Sequence, residues 1–391
     1  MTEQPHIATI EPTVFFTRAG DALRQLVHLR LAAPASEPLA LSLETEGVQE
    51  WIPLLPGDDA FDLYLPDLRE PARLNLRLWA GNALCAEHAI DWQPQRHWEV
   101  HLVAHSHHDV GYSDLPSNVL REQARFLDDV LSFCEETADW PEESRFRYVI
   151  EQAWSLLYFL EHRPPEAVQR LLALIHEGRI EATALLGNLV SDLCGPEELV
   201  RALYPAFRIR RRFGIPLCSA ELNDVPGLAW GLASTLAGAG IRYFAPALPD
   251  FFAWGYEVHP YWDEDSVLPR DGVGAFWWEG PDGRRVLFWH GGDVGLWTPA
   301  QSEANLAHVL ARIEERGYPF AQVRFGFQGG LYDNAPPHKR LSLLVREWNS
   351  RWAYPRLIVS TNARFFSGFE DEAGPHLPVL RGSLPNTDYT V

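Results

Sequence analysis

The sequence is poor in cysteine, in lysine and in positive charge. Its 391 residues include four cysteines, Cys85, Cys134, Cys194 and Cys218. They are widely spaced and form no Cys-x-x-Cys pair, which excludes a disulfide framework and a cysteine-based zinc knuckle. Lys339 is the sole lysine, and the formal net charge is -20. So acidic a chain would repel phosphate, which argues against general nucleic-acid or anionic-membrane partners. No apolar run reaches the length of a membrane span, and the start lacks a basic segment followed by an apolar core. A cytoplasmic location is the expectation. What is plentiful is apolar and aromatic: hydrophobic residues make up 46% of the chain, with 15 Trp and 12 Tyr. That suffices for large cores in two domains. Aromatic side chains also stack on sugar rings, although most are expected to fill cores.

Residues 7–92 read as short, partly alternating β-runs (7–16, 23–31, 39–45, 60–65, 72–79 and 83–92) separated by turn residues. This spacing predicts a β-sandwich over residues 1–96, with residues 94–96 as linker. From Trp98 the pattern becomes βα alternation. Strands are expected at 99–104, 147–150, 179–186, 218–222, 241–245, 323–327 and 357–360. Helices are expected at 115–137, 154–161, 166–177, 196–213, 228–239, 303–316 and 339–352. Residues 251–271 read as an irregular insertion, and 274–290 as a hairpin. A barrel-like or doubly wound α/β domain follows for residues 97–391, with its ligand site at the carboxyl ends of the strands. No compact final element is visible over residues 377–391, so a longer protein is the expectation.

The polar residues at predicted strand exits are His105, His107 and Asp109, then Glu151, Asn188, Asp192, Asn223, Asp224, His290, and the run Tyr332-Asp333-Asn334. One such residue means little, because Asp and Asn favour loops and caps. Repetition across most βα units carries the argument. The densest case is His105-Ser106-His107-His108-Asp109, directly after an apolar strand. In extended chain His105, His107 and Asp109 share one face and His108 takes the other, which makes half a metal site. Asp192 and Asp333 each lie in a loop before a helix. Each can be a turn or capping residue, or one of the two carboxyls that retaining glycoside hydrolysis needs.

His105 to Tyr112 resembles the opening catalytic motif of glycoside hydrolase family 38, the α-mannosidases. The likeness runs through most of residues 98–382. Glu151-Gln152-Ala153-Trp154 is similar to the family's second-strand motif. Gly187 to Asp192, followed by Glu197-Glu198-Leu199-Val200-Arg201, resembles its nucleophile segment. Asp224-Val225-Pro226-Gly227 resembles its Asp-x-Phe-Gly turn, with Pro226 in place of Phe. Tyr332-Asp333-Asn334 resembles its acid/base loop, and Phe365-Phe366 and residues 377–382 resemble the end of its catalytic domain.

The resemblance implies a (β/α)7 barrel-like catalytic domain acting on α-mannosides. It implies a Zn2+ cofactor held by His107, Asp109 and Asp192, with His105 supporting the ligands from behind. Asp192 would also be the nucleophile and Asp333 the acid/base, while Tyr112, Trp154 and Asp224 would line the sugar site. The family takes a fourth ligand, a His, from farther downstream, so a C-terminal continuation is implied. Tyr112 also stands where Trp is common, and Asn188-Leu189-Val190-Ser191 replaces a more aromatic run. Two other readings remain. An amidohydrolase-like metal hydrolase also opens with His-x-His, and would recruit His290 and a carboxylated lysine; Lys339, however, sits in a predicted helix. A non-catalytic sugar-binding relative is the third.

Overall fold

The computed structural model describes residues 5–45, 48–109, 111–225, 227–246, 274–289, 299–315, 317–328 and 334–385. Asp333, Tyr332, His290 and the predicted insertion at 251–271 lie outside these residues. The chain divides into two compact units. One comprises Met1–Glu99 with Trp348–Arg356, the other Val100–Glu347 with Leu357–Val391.

The first unit is built from two antiparallel sheets. Strands β1 (Ile7–Ala19), β2 (Ala22–Leu31) and β5 (Ala60–Pro66) form one sheet in the order β1-β2-β5. Strands β3 (Leu39–Thr45), β4 (Val48–Leu54), β6 (Ala72–Ala80) and β7 (Ala83–Trp92) form the other, in the order β4-β3-β6-β7. Period-two alternation sends every second residue inward. Val27, Leu29, Leu63 and Leu65 from the first sheet join Leu41, Leu43, Leu74, Leu76 and Leu78 from the second in one core. Strand β4 was not expected. Its sequence, VQEWIPL, carries polar residues and Pro53, which an edge strand tolerates because Pro need not donate to a ladder.

The second unit mixes helices with several short sheets. Strand β8 (Glu99–His105) sits between β16 (Gln322–Gln328) and β17 (Arg356–Ser360). After Glu99, all of β8 is buried, as its continuous apolar run requires of a strand covered on both faces. Strand β9 (Tyr148–Ile150) pairs in parallel with β10 (Ile180–Ala182). A third sheet runs β11 (Ser219–Ala220), β13 (Tyr243–Phe244), β15 (Arg285–Trp289), β14 (Ala275–Glu279), β18 (Val379–Arg381). Its β11-β13 and β13-β15 pairs are parallel, whereas β14 and β15 form the expected antiparallel hairpin. The fold is thus mixed α/β. The (β/α)7 ring does not appear as a closed barrel among the described residues, because several strands are two or three residues long and the ladders stop where they end.

Two helical expectations change. The helix expected over 196–213 is two helices, α4 (Pro196–Arg201) and α5 (Tyr204–Phe213). Pro205 stands at the start of α5; it has no N–H to donate back to Arg201, so the helix restarts there. After the last expected strand, in a stretch given no element, the chain forms α9 (Asn362–Ala373). Thr361 caps it by accepting from the Arg364 N–H at 3.3 Å, and Phe365, Phe366 and Phe369 make its buried face. No helix of the described residues is long and apolar enough to cross a membrane.

Candidate metal and sugar site

The site begins where β8 ends. His105, Ser106, His107 and His108 are all buried. His108 turns away from its neighbours, as alternation requires, and its Nδ1 lies 2.6 Å from Ser155 Oγ. Burial drives the His108 imidazole down to about 4, so it is neutral. His107 faces the other way. Its Nε2 lies 3.2 Å from Asp109 Oδ1 and 4.0 Å from Asp224 Oδ2, and its Nδ1 lies 3.3 Å from Glu151 Oε1.

Each acidic partner is placed by a local feature of the chain. Asp224 follows β11 and holds a left-handed backbone, with φ 52. Asp tolerates that region better than most residues, yet strain at a polar loop residue points to a functional constraint. Asn334 shares the feature, with φ 56. Its Oδ1 accepts from the Asp109 N–H at 2.9 Å, and its Nδ2 approaches Asp109 Oδ2 at 3.4 Å. Glu151 lies at the exit of β9, just before α2 (Ala153–His162). Its Oε1 accepts from Asn188 Nδ2 at 2.6 Å and from the His108 N–H at 3.3 Å, while Oε2 lies 3.5 Å from His105 Nδ1. Asn188 Oδ1 in turn accepts from the Asn223 N–H at 2.9 Å, tying this carboxylate to the loop that carries Asp224.

These contacts set the electrostatics. Burial alone would raise the Glu151 carboxyl. The His107 charge and the bonds from His105 and His107 outweigh it and hold Glu151 well below the usual carboxylate range. Burial likewise lowers the His107 imidazole, but the Glu151 charge, with hydrogen bonds to Asp109 and Glu151, pushes it up to about 11. The Asp109 carboxyl is lowered chiefly by its bond with His107. Three carboxylates therefore surround one imidazole and call for positive charge between them.

His107, Asp109 and Asp224 present ligand atoms that all lie within 4.8 Å of one another. One imidazole and two carboxylates are a donor set that divalent zinc accepts. Glu151 on the far imidazole nitrogen is the support that orients a metal-binding histidine. The residues present thus fit a metal ion.

That group includes Asp224, expected at the sugar, and does not include Asp192, expected as a third ligand. Asp192 sits in the single-turn 3-10 helix Ser191–Leu193, and partial desolvation raises its carboxyl. That turn is tied toward the Asp224 loop: Ser191 Oγ accepts from the Ala229 N–H at 3.0 Å and donates to the Gly227 carbonyl at 3.3 Å. His105 stands behind the ligands, against Glu151. Trp154 is half-buried in the first turn of α2, and Tyr112 is 89% exposed. The sequence marks Glu151, Asn188 and Asn334 as strand-exit residues within motif segments, without a role of their own. Their position was the available signal; their partners, far away in sequence, were not readable.

Comparison with known proteins bears on this geometry. The model of the glycosyl hydrolases family 38 N-terminal domain matches residues 97–383. Among solved structures, the chain is similar to an α-mannosidase from Enterococcus faecalis V583, at 19% identity and a TM-score of 0.57, over 73% of this chain and 31% of that one. It is also similar to a glycosyl hydrolase family 38 protein from Enterococcus faecalis, at 17% identity and a TM-score of 0.49, over 74% of this chain and 29% of that one. The chain thus spans about a third of the length of these relatives. No curated protein matches the sequence. A family match over nearly three quarters of the chain settles the assignment: the chain belongs to glycosyl hydrolases family 38, through that family's N-terminal domain.

Proposed function

We propose that this chain carries the catalytic centre of a zinc-dependent retaining α-mannosidase. The observation behind this is the gathering of Asp109, Asp224 and Glu151 around His107, a cluster that balances its charge by taking up a cation. His107, Asp109 and Asp224 would hold the zinc, and Asp192 would complete the set. The bound ion supplies Lewis-acid and template chemistry toward the sugar hydroxyls. A domain arrangement goes with this proposal: a β-sandwich over residues 1–96 and a (β/α)7-type catalytic domain over residues 97–391.

In the reading proposed, an Asp192 carboxylate oxygen attacks the anomeric carbon while the Asp333 carboxyl gives its proton to the departing glycosidic oxygen. A glycosyl ester on Asp192 results. Asp333 then takes a proton from water, whose oxygen attacks the same carbon and frees Asp192, so configuration is retained. Tyr112 and Trp154 offer aromatic faces to the sugar ring. Asp224, itself in the ligand cluster, would also orient sugar hydroxyls.

The test is release of an aryl α-mannoside by the full-length gene product. Activity is expected to disappear with a chelator. In Asp192→Ala it should fall by more than about a thousandfold, the order of loss when a covalent nucleophile is removed. Full activity in Asp192→Ala would overturn the nucleophile assignment.

A further inference from the structure

We infer that the outer face of the β4-β3-β6-β7 sheet is a second carbohydrate site, built on Trp51 and Trp79 to receive a neutral polysaccharide; the choice of an α-mannan rests on the function proposed above. In this sheet the leucines of β3 and β6 face the core, so the alternate residues face outward. The register places them in two rows across the strands. Trp51 stands opposite Ser42, Ser42 opposite Arg77, and Arg77 opposite Glu87. In the next row Pro53 stands opposite Ala40, Ala40 opposite Trp79, and Trp79 opposite Leu84.

Trp51 and Trp79 are on strands separated by β3, and β3 carries only the small Ser42 and Ala40 between them. The two indoles therefore lean together over that strand, with ring centroids 5.8 Å apart and planes inclined by 45°. Trp79 is fixed by its Nε1–H, which donates to Ser42 Oγ at 3.0 Å. Trp51 is 57% exposed and Leu84 45% exposed. Trp51, Trp79 and Leu84 lie side by side, so the apolar surface on this face is contiguous, as at an interaction surface.

The rim selects the ligand. Arg77 pairs with Glu87 at 2.6 Å and with Glu44 at 2.9 Å, and Arg73 pairs with Asp91 at 2.6 Å. These pairs set two cations against three carboxylates, so the face offers hydrogen-bond donors and acceptors and keeps one net negative charge, which disfavours an anionic glycan. That suits a neutral, hydroxyl-rich partner. The C–H face of a pyranose is apolar and lies flat on an indole, while its hydroxyls point sideways to such groups. The face belongs to the first unit, whereas His107, Asp109 and Asp224 belong to the second. The two sites can therefore be tested apart.

The experiment is native electrophoresis of the full chain in gels containing soluble α-mannan, with mannan-free gels as reference. The wild type is expected to be retarded. Trp51→Ala should weaken apparent affinity by about tenfold, the order for losing one aromatic stacking contact. Trp51→Phe should restore part of it, and both variants should keep wild-type hydrolysis of a small aryl α-mannoside. Asp109→Ala should be retarded like wild type. Absence of retardation in the wild type overturns the proposal, as does retardation unchanged in both Trp51→Ala and Trp79→Ala. Retardation lost in Asp109→Ala but kept in Trp51→Ala assigns binding to the metal site instead, and overturns it too. A dimer that dissociates in Trp51→Ala, with no mannan binding, identifies a second copy as the occupant and likewise overturns it.

Discussion

Replacing His107 with Ala is expected to remove metal binding and aryl α-mannoside hydrolysis together. The imidazole is the one nitrogen ligand in the His107–Asp109–Asp224 group, and its Nε2 faces both carboxylates. Without it Asp109 and Asp224 are left as a loose acidic pair, and Glu151 loses the cationic partner at its Oε1. Losing a group that merely supports a ligand costs about 10–100-fold in metal affinity, so losing the ligand itself should exceed about 100-fold. Isothermal titration with zinc measures the affinity, and a chromogenic mannoside assay the rate. Because His107→Ala also unpairs a buried carboxylate, Asp109→Asn serves as a second variant. Asp109 keeps 18% of its side chain in solvent, so its fold should survive while the ligand charge is lost. Wild-type zinc affinity in both variants would contradict the assignment.

The second large effect is expected at Glu151. This carboxylate is buried at the centre of a polar set that includes His105, His107, His108 and Asn188. Glu151→Ala removes one side of a buried charge pair and strips Asn188 and the His108 N–H of their acceptor. Breaking such a pair costs about 3–5 kcal/mol, seen as an earlier denaturant midpoint. Glu151→Gln keeps the shape and an oxygen for Asn188, so its stability loss should be clearly smaller. It no longer supports the His107 imidazole by charge, and zinc affinity should drop by about 10–100-fold. If Glu151→Ala unfolds no earlier than wild type, the central role given to this carboxylate is wrong.

The sequence shows the first half of the site because the half is local. An apolar strand followed by His-Ser-His-His-Asp, read with a period of two, separates His107 and Asp109 from His108, as the contacts of His108 with Ser155 bear out. The second half depends on closure between distant loops. The position of Asp224 beside His107 and Asp109 goes with a left-handed backbone at Asp224 and with the Asn188 bridge from Glu151 to Asn223, and neither leaves a mark in residue spacing. The fold follows the same division. The sandwich strands read clearly wherever apolar residues alternate. Strand β4 escaped because its polar residues and Pro53 interrupt the run, and it carries Trp51. Pro205 divides a helix that periodicity alone joins. The α9 helix was hidden by paired phenylalanines read only as the tail of a motif, although Thr361 supplied a cap.

Zinc dependence is measured most directly as the rate of aryl α-mannoside hydrolysis by the full-length gene product during zinc titration of chelator-stripped protein. No hydrolysis is expected at the start, then a rise that saturates at one zinc per chain, and no rise in His107→Ala. Full activity in the stripped, metal-free protein would contradict zinc dependence.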